Sequence, residues 1–182
     1  MHGMYTTLSS SCAESHTELL SRYMLEIQHF ISAEKSLSSL LPEVDIKSAG
    51  YAQINQDLMG IFERTGRSNR AVECAKVGFD ILTGLDVPPE NDLANAYRDM
   101  GYSLCAAFRA YGALPYLDKA IEMAKAHPEP ECYTKFNIDR FLRNHGRANQ
   151  QLRRFDKALA DFEEANYFQA KLHGENSHYD GE

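Results

Sequence analysis

The chain has 182 residues, 43% hydrophobic and 25% charged, with 11 Gly, 6 Pro and no Trp. These are the proportions of a folded globular protein, and they exclude a collagen, a low-complexity tail and a wholly disordered chain. Lys and Arg total 19 against 26 Asp and Glu, a net charge of -7, which argues against a nucleic-acid partner, since such binding needs a positive field.

Residues 1–13 are polar and rich in hydroxyls. They lack the basic start and apolar centre of a secretory signal and are expected to be disordered. No stretch approaches the ~18 consecutive apolar residues of a membrane span, so no membrane partner is expected. Cys12, Cys74, Cys105 and Cys132 are scattered without a C-x-x-C pair, the pattern of reduced, structural thiols, and a cytoplasmic protein is expected.

From residue 14 onward the apolar residues recur at helical period. Over 14–41, Leu20, Met24, Ile27, Ile31, Leu37 and Leu41 fall near one face, and Pro42 closes the segment. Its length fits one long helix or two broken near Ser32. A helix follows over about 46–65, with Ile54, Leu58, Ile61 and Phe62 inward. Gly66-Arg67-Ser68-Asn69 is a turn in which Ser68 or Asn69 can cap the next helix. That helix carries Ala71, Cys74, Ala75, Phe79 and Leu82, and Gly84 and Pro88-Pro89 stop it.

A fourth helix spans about 90–108, and a fifth runs to about 126 with Pro115 in its first turn, where proline is tolerated. His127-Pro128-Glu129-Pro130 forces a turn. A sixth helix is expected over about 131–152 and a seventh over about 155–172, with a polar tail at 174–182. Strand alternation and hairpin dipeptides are absent. The chain reads as all-α, a succession of antiparallel hairpins over about 46–84, 90–126 and 131–172.

These hairpins repeat. With Ala71, Ala113 and Ala158 aligned, Ala75, Leu117 and Phe162 lie four residues on, and Gly78, Ala120 and Ala165 seven on. Met59, Gly101 and Gly146 lie twelve before, and Phe62, Leu104 and Asn149 nine before. The periods are 42 and 45 residues. Small residues at both crossings let paired helices approach to ~8–10 Å. Each hairpin then buries its remaining face against the next.

The third copy reads Leu142-x2-His145-Gly146-x2-Asn149, then Ala158-x3-Phe162 and Ala165. The second reads Tyr97-x2-Met100-Gly101-x2-Leu104, then Ala113-x3-Leu117 and Ala120, and the first Asn55-x2-Leu58-Met59-x2-Phe62, then Ala71-x3-Ala75 and Gly78. Over residues 46–173 this resembles the tetratricopeptide repeat, whose outline is W-x2-L-G-x2-Y followed by A-x3-F and A. Three departures stand out: no Trp opens a copy, Met59 replaces the packing glycine, and His145 and Asn149 replace apolar residues. The long periods resemble the elongated, kinesin-light-chain-like repeats of this family, and the segment Phe168–Glu175 resembles fungal members.

The resemblance implies an α-solenoid, a right-handed superhelix whose concave face is lined by the first helix of each hairpin and binds protein or peptide. Carried onto this sequence, that face holds Gln53 and Gln56, then Asn95, Arg98 and Tyr102, then Arg140, Arg143, Asn144, Arg147 and Gln150. Arg140, Arg143 and Arg147 share one helix face. From Arg140 to Phe155 there are five arginines and no acid, a stripe suited to an acidic or phosphorylated peptide. A solvated face paired to neighbouring acids such as Asp139 is the plainer account of the same residues.

Chemistry beyond binding finds no support. No phosphate loop, dinucleotide fingerprint, H-E-x-x-H or G-x-S-x-G occurs. The pairs His173/His178 and His127/Cys132 are poor metal ligands, and Cys105 lacks a His partner. No enzyme, cofactor or metal is expected. The expected function is a protein-interaction scaffold, with a regulatory or sensor arm of a larger signalling protein as the alternative. A last hairpin left uncovered near Tyr167 and Phe168 would fit a fragment, a truncated gene or a homodimer formed through that hairpin.

Overall fold

The computed structural model describes residues 24–176, and among these every regular element is helical. The expectations for residues 1–13, for the 14–41 segment before residue 24 and for the tail beyond 176 lie outside the described residues. Helix α1 covers 24–40 without a break at Ser32, and a 3-10 turn, Leu41–Glu43, follows it. Then come α2 (Ala49–Arg64), α3 (Ser68–Thr83), α4 (Glu90–Ala106), α5 (Ala110–Lys125), α6 (Glu131–Thr134), α7 (Ile138–Gln151) and α8 (Phe155–Asn176). The pairs α2/α3, α4/α5 and α7/α8 are the three hairpins, and α3 on α4 and α5 on α7 join each to the next.

The three turns inside the hairpins are built alike. Arg67, Arg109 and Arg154 donate their backbone N–H to the carbonyls of Phe62, Leu104 and Asn149, five residues back, at 2.7, 2.8 and 2.8 Å. The residue before each has positive φ: Gly66 at 73°, Phe108 at 58° and Arg153 at 60°. This is the left-handed helix-ending turn that glycine favours. It leads straight into the next helix, so Ser68 is the first residue of α3, and neither Ser68 nor Asn69 caps it. For the same reason α5 starts at Ala110, which puts Pro115 in its second turn and leaves the Tyr111 carbonyl without its usual donor.

The small-residue crossings sit as the register requires. A Cβ placed on Gly146 would lie 2.7 Å from Phe162 Cε1, and one on Gly101 would fall inside the Leu117 side chain. Ala71, Ala113 and Ala158 are all buried. The first and second hairpins meet through aromatic edges, Phe79 lying 5.0 Å from Tyr97 and 5.6 Å from Tyr116 between ring centres. Helix α1 packs on the outer side of the first hairpin through Leu37, and its Glu34 pairs with Arg67 at 2.6 Å.

The expected helix over 131–152 is instead broken. Asn137 adopts a left-handed conformation at φ 52°, separating α6 from α7. At ~3.6 residues per turn, one continuous helix would set Cys132, Tyr133 and Phe136 on one side and Ile138, Phe141 and Leu142 nearly opposite. All six are buried in one cluster with Ala165 and Phe168 of α8. The break rotates α7 so that both sets face that core, and Asn tolerates the required backbone. Phe168 is thus buried, while Tyr167 remains half exposed.

Candidate functional site

Helices α2, α4 and α7 present their free faces side by side, as the first helix of each hairpin must. Two clefts run along this face. The first, of about 220 Å³, lies between α2, α3 and α4 and is lined by Gln53, Gln56 and Asn95 among others. The second, of about 320 Å³, is lined by Arg98, Tyr102, Arg140, Arg143, Asn144 and Arg147. Met59 and Asp99 border both. The sequence-expected residues therefore gather on one surface, except Gln150, which is exposed and borders neither cleft.

Several of them are already engaged. Gln53 donates to Asp57 Oδ1 at 3.1 Å and Asn95 to the Asn91 carbonyl at 3.0 Å. Gln56 Nε2 donates to Asp99 Oδ2 at 3.0 Å, and Arg98 pairs with the other oxygen of the same carboxylate. Arg143 reaches back to α8, donating to Asn166 Oδ1 at 3.0 Å and to Gln169, with Asp139 4.0 Å away. The stripe of three arginines is thus divided. Arg140 and Arg147 are exposed and form no hydrogen bond or ion pair among the described residues.

Sequence reasoning from the repeat register puts Glu63 in the first layer of this face, but it missed Asp99 and the burial of both acids. Asp99 is buried, and burial pushes its carboxyl above the ordinary range against the opposing pull of Arg98, Gln56 and Arg140. Glu63 of α2 accepts from Ser103 Oγ at 2.9 Å. Burial raises it to about 7, with the Asp99 charge adding to the shift and Ser103 and Arg98 opposing it. The available signal was the Arg98-Asp99 step and the 40-residue interval between Glu63 and Ser103, close to one repeat.

The polar departures in the third hairpin form their own network. His145 Nδ1 lies 2.9 Å from Asp161 Oδ2, which also accepts from Asn149 Nδ2 at 2.9 Å. His145 Nε2 lies 3.2 Å from Asp118 Oδ1 on α5. One histidine thus ties α7 to both its neighbours. His127 faces Glu90 and Glu131 and stacks on Phe136, with ring centres 4.5 Å apart. No group of three or more His, Cys, Asp and Glu side chains that could hold a metal is found among the described residues. Cys105 is buried, not on the groove surface. Burial raises the Cys74 and Cys105 thiols to about 11, with the Cys132 thiol shifted upward too, so none favours the nucleophilic thiolate.

No protein-family model and no curated protein matches the chain by sequence. Solved structures do match. One is a kinesin-light-chain-like protein of Podospora anserina with nearly identical TPR-like repeats, superposing with a TM-score of 0.59 at 15% identity over 80% of this chain and 68% of that one. A point variant of that same protein gives 0.62 at 14% identity over 81% and 68%. At such low identity these likenesses speak to architecture, and they establish a TPR-like helical-repeat fold. Among the described residues no helix is long and apolar enough to cross a membrane.

Proposed function

We propose that this chain is a non-catalytic, cytoplasmic protein-interaction module that takes an extended acidic or phosphorylated peptide along the face formed by α2, α4 and α7. The observation that carries the reading is the pair Arg140 and Arg147. They lie two turns apart on one face of α7, both exposed and both without an ion pair among the described residues, beside Tyr102 and Asn144 in the same cleft. Two forked cations about 10 Å apart along a helix suit two carboxylates or phosphates of an extended chain. Tyr102 adds apolar contact area, and Asn144 can bond a peptide backbone. Arg98 serves more weakly, because Asp99 already holds it. The raised thiols argue against cysteine chemistry.

The test is an array of acidic peptides and their phosphorylated counterparts probed with the wild-type protein and an Arg140→Glu/Arg147→Glu variant, both shown to be folded by circular dichroism. The expected result is a subset of peptides bound by wild type and weakened at least about tenfold in the variant, about 1.4 kcal/mol. Binding that is equal in both, or no bound peptide at all, would remove the groove from the account.

A further inference from the structure

The two long edges of the solenoid differ in charge. The antiparallel helices place the three turns inside the hairpins on one edge and the connections between hairpins on the other. The turns (64–70, 107–112 and 152–157) hold seven Arg and Lys and one Asp. The connections (41–48, 83–92 and 126–137) hold seven Asp and Glu and two Lys. On a chain of net charge -7, one edge is locally positive by six and the other locally negative by five.

Part of the positive edge is used internally. Arg67 and Arg70 face Glu34 of α1 at 2.6 and 3.7 Å, and Arg64 lies over the Phe30 ring. The rest pairs with no acid. Among the described residues Arg109 donates to the neutral amide oxygen of Asn69 at 2.9 Å, and Arg153 and Arg154 are exposed with no side-chain hydrogen bond or ion pair. These three flank exposed aromatics. Phe108 is 87% exposed, and Tyr111 and Phe155 also face solvent. Phe108 is held at φ 58°, where the matching turn of the first hairpin has Gly66. A bulky aromatic in that conformation is strained, and so exposed a side chain gains little packing to offset the strain.

The negative edge repeats this composition with the charge inverted. Val87 is 87% exposed beside Asp86, and Ile46 is exposed beside Asp45. Both edges are spaced by one array, since the same stacking of hairpins separates successive turns and successive connections. Two successive tips on each edge, at Phe108 and Phe155 and at Ile46 and Val87, therefore match in spacing, in opposite charge and in having an exposed apolar residue among charged ones, the composition of protein interfaces.

We propose that the chain associates with a second copy of itself edge to edge, the Phe108–Arg154 edge of one molecule against the Asp45–Val87 edge of the next. The contact is head to tail, so it propagates unless a ring closes. The net charge of -7 repels at long range, but at ~0.15 M salt that repulsion is screened beyond ~8 Å, whereas contacting edges are screened less. The negative edge touches the first cleft only at Asp92, and the positive edge reaches α8 only at its first residues, from Phe155.

Sedimentation velocity over a concentration series tests this. The weight-average mass of wild type is expected to rise with concentration at ~0.15 M salt and to fall towards monomer at ~1 M. One variant, Arg109→Glu/Arg153→Glu/Arg154→Glu, and another, Asp45→Lys/Asp86→Lys, are each expected to lower the association constant at least about tenfold. Mixed in equal amounts, they are expected to associate again, because each supplies the intact edge the other lacks. That recovery also shows that neither variant had failed merely to fold. A wild type that stays monomeric throughout overturns the proposal. So do variants that associate as wild type does, which would point to another surface such as α8, and monomeric variants that do not recover on mixing.

Discussion

The first hairpin and the other two build the same helix crossing in opposite ways. In the second and third, a glycine on the first helix receives a large side chain from the second helix, Leu117 over Gly101 and Phe162 over Gly146, sixteen residues apart each time. In the first hairpin the same two positions hold Met59 and Ala75, large and small exchanged, and both are buried in one cluster. The repeat therefore specifies one large and one small residue per crossing rather than a glycine at a fixed place. The helices do not record which of the two supplies the bulk, because interdigitated packing depends on the filled volume.

The largest expected effect comes from forcing one arrangement onto the other. Gly101→Met should overpack the second hairpin by ~3 kcal/mol or somewhat more. Leu117→Ala, at a fully buried position, should cost ~2–5 kcal/mol through its cavity. Together they recreate the Met59/Ala75 arrangement, and the pair should cost less than the sum by ~0.5–3 kcal/mol. Urea denaturation of the four proteins measures that coupling. Additive losses would mean that the exchanged pair in the first hairpin is coincidence.

A second contrast lies three residues further along the first helix of each hairpin. Phe62 and Leu104 fill that position with apolar bulk, while Asn149 fills it with a hydrogen-bonding amide at 1% exposure. Asn149→Ala leaves Asp161 Oδ2 short of a donor and should cost ~1–3 kcal/mol. The triple change His145→Leu/Asn149→Leu/Asp161→Leu makes the third hairpin resemble the others and should cost less than the single one, because no polar group is then left unmatched. Thermal melts in which the single change is silent would show that the network is ornamental to stability.

The sequence made the hairpins legible because register is written in small residues, and Ala71, Ala113 and Ala158 have few other reasons to recur at that spacing. Helix ends were less legible. The turn at Phe108 and Arg153 needs positive φ, and nothing in those residue types announces it, so the start of α5 and the placing of Pro115 were shifted. The break at Asn137 was legible in principle, through two apolar sets on opposite faces, but a run of helical period hides it unless the azimuths are compared. In the groove, positions could be read from repeat register and pairing could not. Arg143 and Arg140 look alike in sequence, and only the approach of Asn166 and Gln169 from α8 separates them.

The groove supplies a smaller contrast, in its response to pH. The acids raised by burial belong to the first and second hairpins, Glu63 on α2 and Asp99 on α4. Glu63 rises from an ordinary 4.5 to about 7. Between those values the folded chain keeps a proton that the unfolded chain has released. The contribution to stability is therefore fullest below about 4.5 and is lost as pH rises through about 7. Glu63→Gln should be more stable than wild type above neutral pH and no more stable near pH ~4.5. Water reaches part of this side chain, which makes the difference modest. Equal urea midpoints for the two proteins at pH ~8 would show that burial does not penalise the ionised Glu63 carboxylate.

The smallest expected effect bears on the equivalent turns at Gly66, Phe108 and Arg153. The left-handed conformation costs a residue with a Cβ about 1–2 kcal/mol, and the greater freedom of glycine in the unfolded chain offsets ~0.5–1 kcal/mol of the relief. Phe108→Gly should therefore raise stability by ~0.5–1 kcal/mol. Gly66→Phe should lower it by a similar amount, since no atom lies near a Cβ built at Gly66 and strain is the only penalty. Chemical denaturation of both variants measures this pair of opposite signs. If Phe108→Gly also weakens self-association, then the residue that costs the monomer stability is the one the assembly uses. A stabilised variant that associates as strongly as wild type would leave the strain at Phe108 without that explanation.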